Sequence, residues 1–135
     1  MDNIATAGSL LGCDYAGVVE EVGRSVDKHL KKGDSICGFA HGANSVQLED
    51  GTFAEYIVVK GDLAMKIPEN VSFEKAATLG VAMVTIGQGL YQQMKLERPL
   101  QPTKAGRPIL IYGGSGGMGT FGIQFAKLSA CPNPS

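Results

Sequence analysis

A run of glycines near the end of the sequence has the residue types and the spacing to bind a phosphate. The pattern Gly-x-Gly-x-x-Gly occupies residues 114–119, and six glycines fall between Gly113 and Gly122. An apolar run, Ile109–Tyr112, precedes the pattern and predicts a buried strand, while a helical pattern follows it. Strand, glycine turn and helix form the context in which this pattern favours dinucleotide binding.

The chemistry expected at this turn is electrostatic. The N–H groups at the start of the following helix attract an anion, and the Ser115 hydroxyl adds a donor. The first glycine of the pattern would permit a tight turn, the second would let a pyrophosphate approach, and the third would pack the helix against the strand. The alternative is a glycine-rich turn without a ligand. A P-loop is excluded, because it requires lysine before Ser/Thr and this sequence has Gly119-Thr120.

Composition narrows the class of protein. The 135 residues suffice for one ordinary domain, and 44% hydrophobic with 19% charged residues provides material for a folded core. The net charge of −1 argues against a nucleic-acid partner. Three cysteines without C-x-x-C spacing fit a reducing, intracellular setting. Two uncharged stretches, 76–94 and 108–126, contain polar residues and make poor membrane spans. We expect a soluble, cytoplasmic protein with no membrane association.

The predicted elements change in kind along the chain. Four strands are predicted before Ser72, over Ala16–Val22, Ser35–Gly38, Gly51–Lys60 and Leu63–Ile67. The clearest period-two alternation is that of residues 51–60. Ser72 is predicted to cap a helix, and a further helical stretch is predicted over Val84–Met94. The shift near Leu79 is the candidate domain boundary, which gives domains 1–78 and 79–135.

Four sequence blocks together resemble one enzyme superfamily. They are Gly12–Gly23, Lys32–Asp34, Gly51–Tyr56 and the glycine turn. In order and spacing they are similar to the medium-chain dehydrogenase/reductase superfamily. The greatest similarity is to its zinc-independent fungal members, which include trans-acting enoyl reductases and ToxD-like dehydrogenases. The resemblance implies an α/β fold, with a partial GroES-like β domain followed by the first part of a Rossmann domain, a doubly wound parallel sheet.

The resemblance also implies an activity and its residues. It implies NADPH as cofactor and reduction of an activated C=C bond in a small-molecule or carrier-bound acyl substrate, such as a polyketide-type thioester of secondary metabolism. A polyketide synthase is an implied partner. No catalytic residue is carried over. The implied cofactor-binding residues are Thr85, Ser115, Gly116, Gly117, Met118 and Gly119. The implied substrate-binding residues are Thr85, Ile86 and Gly89.

The resemblance also bears on whether the protein binds zinc. Zinc-dependent relatives carry His where Cys13 stands and Cys where Val81 stands, and valine cannot bind a metal that needs three protein ligands. We therefore expect no metal, with Cys13 as a small buried residue and His41 as a surface or structural residue. Asp34 and Glu55 match motif positions that we interpret as turn and strand structure.

The resemblance covers only the middle of the family's length. We expect the opening strands of the first domain and the second half of the last to be missing. The residue that separates NADP from NAD would then lie beyond the sequence. Two hypotheses stay open: an NADPH-dependent reductase, and a truncated, catalytically silent remnant or interaction protein. A zinc alcohol dehydrogenase is disfavoured by Val81. We expect this chain alone to aggregate through the unpaired edge of Ile109–Tyr112 and to lack activity.

Overall fold

The computed structural model describes residues 6–99, 101 and 108–130. These residues form two compact units that divide after Val81. The elements, in chain order, are β1 (Asp14–Val18), β2 (Ser35–Phe39), a 3₁₀ helix (Gly61–Leu63), β3 (Met65–Lys66), α1 (Phe73–Ala76), α2 (Gly80–Gly87), a π-helix (Gln88–Gln93) and α3 (Gly117–Ala130).

The first unit is built on a small antiparallel sheet in the order β1-β2-β3. Tyr15 and Val19 point to one side of β1 because side chains alternate along a strand, and both are buried. They pack with Ile36 and Ala64 into the core of this unit. Four partly buried side chains complete that core, Val22, Leu30, Ile57 and Val59.

The strand predicted over Gly51–Lys60 is wrong, because this segment forms no ladder in the part of the chain that the structure describes. The N–H groups of Thr52 and Phe53 both donate to the carbonyl of Leu11, at 2.8 and 3.0 Å, so the start of the segment is held by a distant part of the chain. Further along, Ile57 packs on the core while its neighbours are exposed. The period-two alternation therefore indicates which side of the segment faces the core. It gives no information on whether the segment pairs with a neighbouring strand.

The other strand predictions hold in position and differ in length. The strand predicted to reach Val22 ends at Val18, and it begins two residues early, at Asp14. The strand predicted from Ser35 is confirmed and extends one residue further. The prediction over Leu63–Ile67 is correct only for Met65–Lys66, because the 3₁₀ turn occupies the chain up to Leu63.

The helix predictions were correct in part. Ser72 caps α1, accepting the N–H of Lys75, as expected. The helix predicted from Val84 begins earlier, at Gly80, and continues into the π-helix. We also expected the packed face of α3 to hold Phe121, Phe125 and Leu128. Its buried positions are instead the small residues Gly119, Gly122, Ala126 and Ser129.

Small residues on α3 allow a close approach within the second unit. A Cβ atom added at Gly122 would lie 3.5 Å from Cδ1 of Ile86 and 3.6 Å from Cδ1 of Ile111. The segment 109–112, predicted as a buried strand, is not a strand in the structure, and Leu110 and Tyr112 are exposed. Most of the loop predicted over 97–107 lies outside the described residues.

Within the described residues, every helix is too short or too polar to cross a membrane.

Candidate functional site

The glycine turn begins the helix α3 in the second unit. Gly113 adopts φ +79°, a conformation that glycine reaches without strain. The N–H of Gly116 donates to the carbonyl of Gly113 at 3.1 Å and closes the turn. The first i→i−4 bond of α3 runs from the N–H of Thr120 to the carbonyl of Gly116, at 3.0 Å. The N–H groups of residues 117–119 therefore have no i−4 partner.

Two glycines of the turn, Gly113 and Gly119, are required by the fold itself. Gly113 supplies the left-handed conformation, so the tight turn depends on the residue before the first glycine of the motif. A Cβ atom at Gly119 would contact the carbonyl oxygen of Gly113 and lie 2.7 Å from Cα of Gly114. A Cβ at Gly114 would lie 3.0 Å from Cδ1 of Ile123. The close packing expected of the third glycine is thus present at Gly119.

Gly116 and Gly117 have no such reason to be glycine. Neither has a positive φ. A Cβ atom at Gly117 would meet nothing within 4 Å, and one at Gly116 would make only an ordinary contact, at 3.5 Å with the carbonyl oxygen of Gly113. Both residues are exposed, as are the neighbouring Ser115 and Met118. The turn therefore keeps an open cradle, formed by residues 115–118, which side chains would fill.

The electrostatics of the cradle come from the backbone. Lys127 is the single charged side chain in residues 108–130, and it lies near the far end of α3. The hydroxyl of Thr120 already donates to the carbonyl of Gly117 at 2.9 Å. The donors left for an anion are the N–H groups at the helix start and the Ser115 hydroxyl. A phosphate group fits this donor set, because it accepts several N–H bonds at once.

The second group of predicted residues lies on α2 and the π-helix. Thr85 is exposed, and Gly89 has open space where a Cβ would stand. Ile86 is half-buried, and the contact with Gly122 directs its end toward α3. Thr85 and Gly89 are therefore accessible to a ligand, whereas the end of the Ile86 side chain is used in packing.

Cys13 and Val81, the two positions compared with zinc ligands, are close to each other in the first unit. A carboxylate oxygen of Asp14 accepts the N–H of Val81 at 2.6 Å. Cys13 is exposed, so the expectation that it is buried is wrong. Cys13 lies one residue before β1, whereas the first residue of the core in this unit is Tyr15. No three His, Cys, Asp or Glu side chains converge in residues 6–99, 101 or 108–130.

The remaining titratable residues have structural surroundings. Asp34 accepts a hydrogen bond from Lys66 at 2.8 Å and one from the N–H of Lys31 at 2.9 Å, and these bonds lower the pKa of its carboxyl. Burial raises the pKa of the Cys37 thiol, which disfavours a reactive thiolate.

His41 is exposed, as expected. Glu55 is also exposed, but it lies in a bend where a strand was expected.

Two features of the structure were missed from the sequence. Asp14 holds the start of α2 across a separation of 67 residues, and no local signal marks it as an acceptor. Tyr91 and Ser129 pair their hydroxyls at 2.9 Å in the second unit. The hint in the sequence was Ser129, a polar residue among the small residues on the buried face of α3.

A cleft of about 930 Å³ in the first unit, beside β1 and residues 54–59, has none of the predicted ligand-binding residues in its lining.

Comparisons with known proteins agree with this organisation. Residues 2–69 match the alcohol dehydrogenase GroES-like domain. Over 93% of its length the chain is 63% identical to the trans-enoyl reductase TOXD of Cochliobolus carbonum, of which it covers 42%.

Solved structures show the same relationship. An alcohol dehydrogenase superfamily protein from Novosphingobium aromaticivorans matches 90% of the chain with a TM-score of 0.75 and 30% identity, over 34% of its own length. A mycobacterial protein, Rv1454c, solved in complex with NADPH, matches 86% of the chain with a TM-score of 0.63 and 28% identity, over 32% of its own length. The chain thus spans less than half the length of these proteins.

These matches confirm the expected fold class, a partial GroES-like domain followed by the start of a Rossmann domain. They cover both the antiparallel sheet and most of the second unit. The chain belongs to the medium-chain dehydrogenase/reductase superfamily and carries its alcohol dehydrogenase GroES-like domain.

Proposed function

We propose that the chain binds NADPH through the glycine cradle and belongs to an enoyl reductase that reduces an activated C=C bond of a polyketide-type thioester. The observation that carries the proposal is the open space at Gly116 and Gly117. A glycine inside or beside a helix costs up to about 1 kcal/mol relative to alanine. A close ligand explains why that cost is retained at two positions where the fold does not need it.

The cofactor assignment has support from relatives. The trans-enoyl reductase TOXD is the basis for the reaction class, and the NADPH complex of Rv1454c is the basis for the cofactor. NADPH would supply the hydride. The protein would supply binding and orientation. A carrier-bound acyl chain, delivered by a polyketide synthase, is the substrate we propose, with a free small-molecule enoyl thioester as the simplest analogue.

Each predicted residue has a distinct part in this proposal. The N–H groups of Gly117 and Met118 and the Ser115 hydroxyl bind the pyrophosphate, while Gly116 leaves room for it. Thr85, exposed on α2, orients the nicotinamide and the substrate. Gly89 leaves room for the acyl chain.

We propose that the reaction proceeds without a catalytic zinc. Such a site needs three protein ligands, and the side chain of Val81 cannot be one of them. The hydrogen bond from the Val81 N–H to Asp14 also occupies an oxygen of the nearest carboxylate.

A substitution in the cradle tests the proposal. Gly117→Val would place a side chain in the open space and block the pyrophosphate. NADPH binding, followed by cofactor fluorescence, should weaken by about tenfold or more, which is a loss of about 1.4 kcal/mol or more, because the pyrophosphate can no longer approach the N–H groups. The matched control is Gly17→Val in β1, where a Cβ also meets nothing within 4 Å.

The controls separate binding from folding. Circular dichroism and thermal unfolding should be similar in both variants, and only Gly117→Val should lose affinity. Equal NADPH affinity in Gly117→Val and the unaltered chain would remove the glycine cradle from the cofactor site.

A second candidate function is that of an interaction protein without turnover. It is favoured by Leu110 and Tyr112, which are exposed by 95% and 101% on an extended segment. Exposed apolar residues of this kind favour association between chains. NADPH consumption with an α,β-unsaturated thioester, measured on this chain completed with the flanking segments of an intact trans-enoyl reductase, separates the two candidates, because an interaction protein would show none.

A further inference from the structure

The helix that carries the predicted substrate residues contains a rare element. After Gly87 the α-helix continues as a π-helix over Gln88–Gln93. The N–H of Met94 donates to the carbonyl of Gly89 at 3.0 Å, an i→i−5 bond. The N–H of Leu96 donates to the carbonyl of Leu90, also at 3.0 Å. Such wide turns are often found at functional sites.

The wide turn lets two side chains face α3 that a regular helix would separate. Ile86 lies beside Gly122, and Tyr91 lies beside Phe125, with ring centroids 6.3 Å apart. In an α-helix, residues five apart point about 140° away from each other, because each residue turns by about 100°. The widened turn reduces this angle and so favours both contacts at once.

The anchor at the later position is a buried hydrogen bond. The hydroxyls of Tyr91 and Ser129 are 2.9 Å apart, and either can donate. Ser129 is 1% exposed, so its hydroxyl depends on a protein partner. Loss of this partner would leave a buried polar group unsatisfied. The bond thus fixes Tyr91 against α3 and, through it, the wide turn.

We propose that Tyr91 and Ser129 are positioning residues that hold the wide turn and thereby orient Thr85 and Gly89 toward the ligands. This inference rests on the proposed function. Gly89 supplies the carbonyl of the i→i−5 bond, and Thr85 lies next to Ile86, the other anchor. Without the Tyr91 anchor the segment can relax to an α-helix, which would rotate Gly89 and the preceding turn relative to α3.

The test uses Tyr91→Phe, Ser129→Ala and the double variant in this chain completed with the flanking segments of an intact trans-enoyl reductase, because the chain alone is expected to lack activity. The controls are Tyr56→Phe and Ser45→Ala, which remove hydroxyls at exposed positions. Hydrogen exchange at the Met94 and Leu96 amides reports the wide turn. Turnover with NADPH and a crotonyl pantetheine thioester reports the orientation of the ligands.

Each single variant should speed exchange at these two amides on the order of tenfold, with no change in the controls. The same variants should lower kcat on the order of tenfold and leave KM for NADPH unchanged, because the cradle is untouched. The double variant gives the sharpest result. Removing both hydroxyls restores much of the thermal stability, since no buried group is left unpaired. It should not restore kcat, because the anchor is still missing.

The outcomes distinguish the two proposals. No turnover by the completed chain without substitutions would overturn the proposed function, and with it the positioning role. Turnover by that chain together with an unchanged kcat in the variants would overturn the positioning role alone. Unchanged exchange at Met94 and Leu96 would overturn the claim that the hydroxyl pair holds the turn. Recovery of kcat in the double variant would reduce the pair to a purely structural bond.

Discussion

Replacing Gly119 by alanine should open the glycine turn, whereas the same change at Gly117 should not. At Gly119 the new Cβ would press on the carbonyl oxygen of Gly113 and lie 2.8 Å from its carbonyl carbon and 2.7 Å from Cα of Gly114. These are backbone atoms that cannot rotate away. At Gly117 the new Cβ meets nothing within 4 Å. Both residues lie in α3, so the two variants differ mainly in the clash.

The magnitude follows from two opposing effects. Overpacking of a tight site costs about 1–3 kcal/mol, and contact with backbone puts Gly119 near the upper end. Alanine in place of glycine in a helix returns up to about 1 kcal/mol. Gly119→Ala should therefore lower the free energy of unfolding by about 2 kcal/mol. Gly117→Ala should leave it unchanged or raise it by up to about 1 kcal/mol.

Urea denaturation followed by circular dichroism measures both variants in the same buffer. For a chain of this size, about 2 kcal/mol corresponds to a fall in Tm of roughly 8 °C. If Gly119→Ala unfolds at the same urea concentration as Gly117→Ala, the third glycine of the motif does not pack the helix onto the turn. The distinction between structural and ligand-facing glycines would then lose its basis.

Two further predictions concern the first unit. The purified protein should contain no stoichiometric zinc, because Val81 offers no ligand, and elemental analysis that finds one tightly bound zinc per chain would contradict this. Burial, assisted by the nearby Cys37, raises the pKa of Tyr15 from 10.0 to about 12. The folded state then favours the neutral phenol, so its stabilising contribution is complete below about pH 10 and is lost as the pH rises toward 12. Tyr15→Phe should flatten this alkaline decline in the free energy of unfolding, and an equal decline in both proteins would disprove the assignment.

Local signals in the sequence identified several elements correctly. Ser72 has the side chain of a helix cap, and it caps α1. A helix also follows the glycine turn, as the pattern predicted, and it runs over Gly117–Ala130. These features depend on a few neighbouring residues, so they can be predicted without the rest of the chain.

Features that depend on distant residues were not predictable in the same way. Alternation over residues 51–60 marks a packed side, but a strand also needs a partner at the right distance. The glycine motif predicted that its third glycine, Gly119, packs the helix, and the contacts at Gly119 agree with this. The motif did not predict that the left-handed turn depends on Gly113, which precedes it, or that Gly117 has open space. The Tyr91–Ser129 pair joins residues 38 apart, and no spacing rule would connect them.

The hydrogen bond between Asp14 and the N–H of Val81 has a consequence for how the chain folds. It joins residues 67 apart, and closing a loop of that length costs about 4 kcal/mol of chain entropy. Gly80 also lies close to the carbonyl of Gly38 in β2, so the start of α2 contacts both strands of the β1–β2 pair. Contacts between residues far apart in sequence form slowly, because the chain loses conformational entropy before the contact contributes any stabilising free energy. The start of α2 should therefore dock late in folding, after β1 and β2 have paired and Asp14 is in position to accept the hydrogen bond.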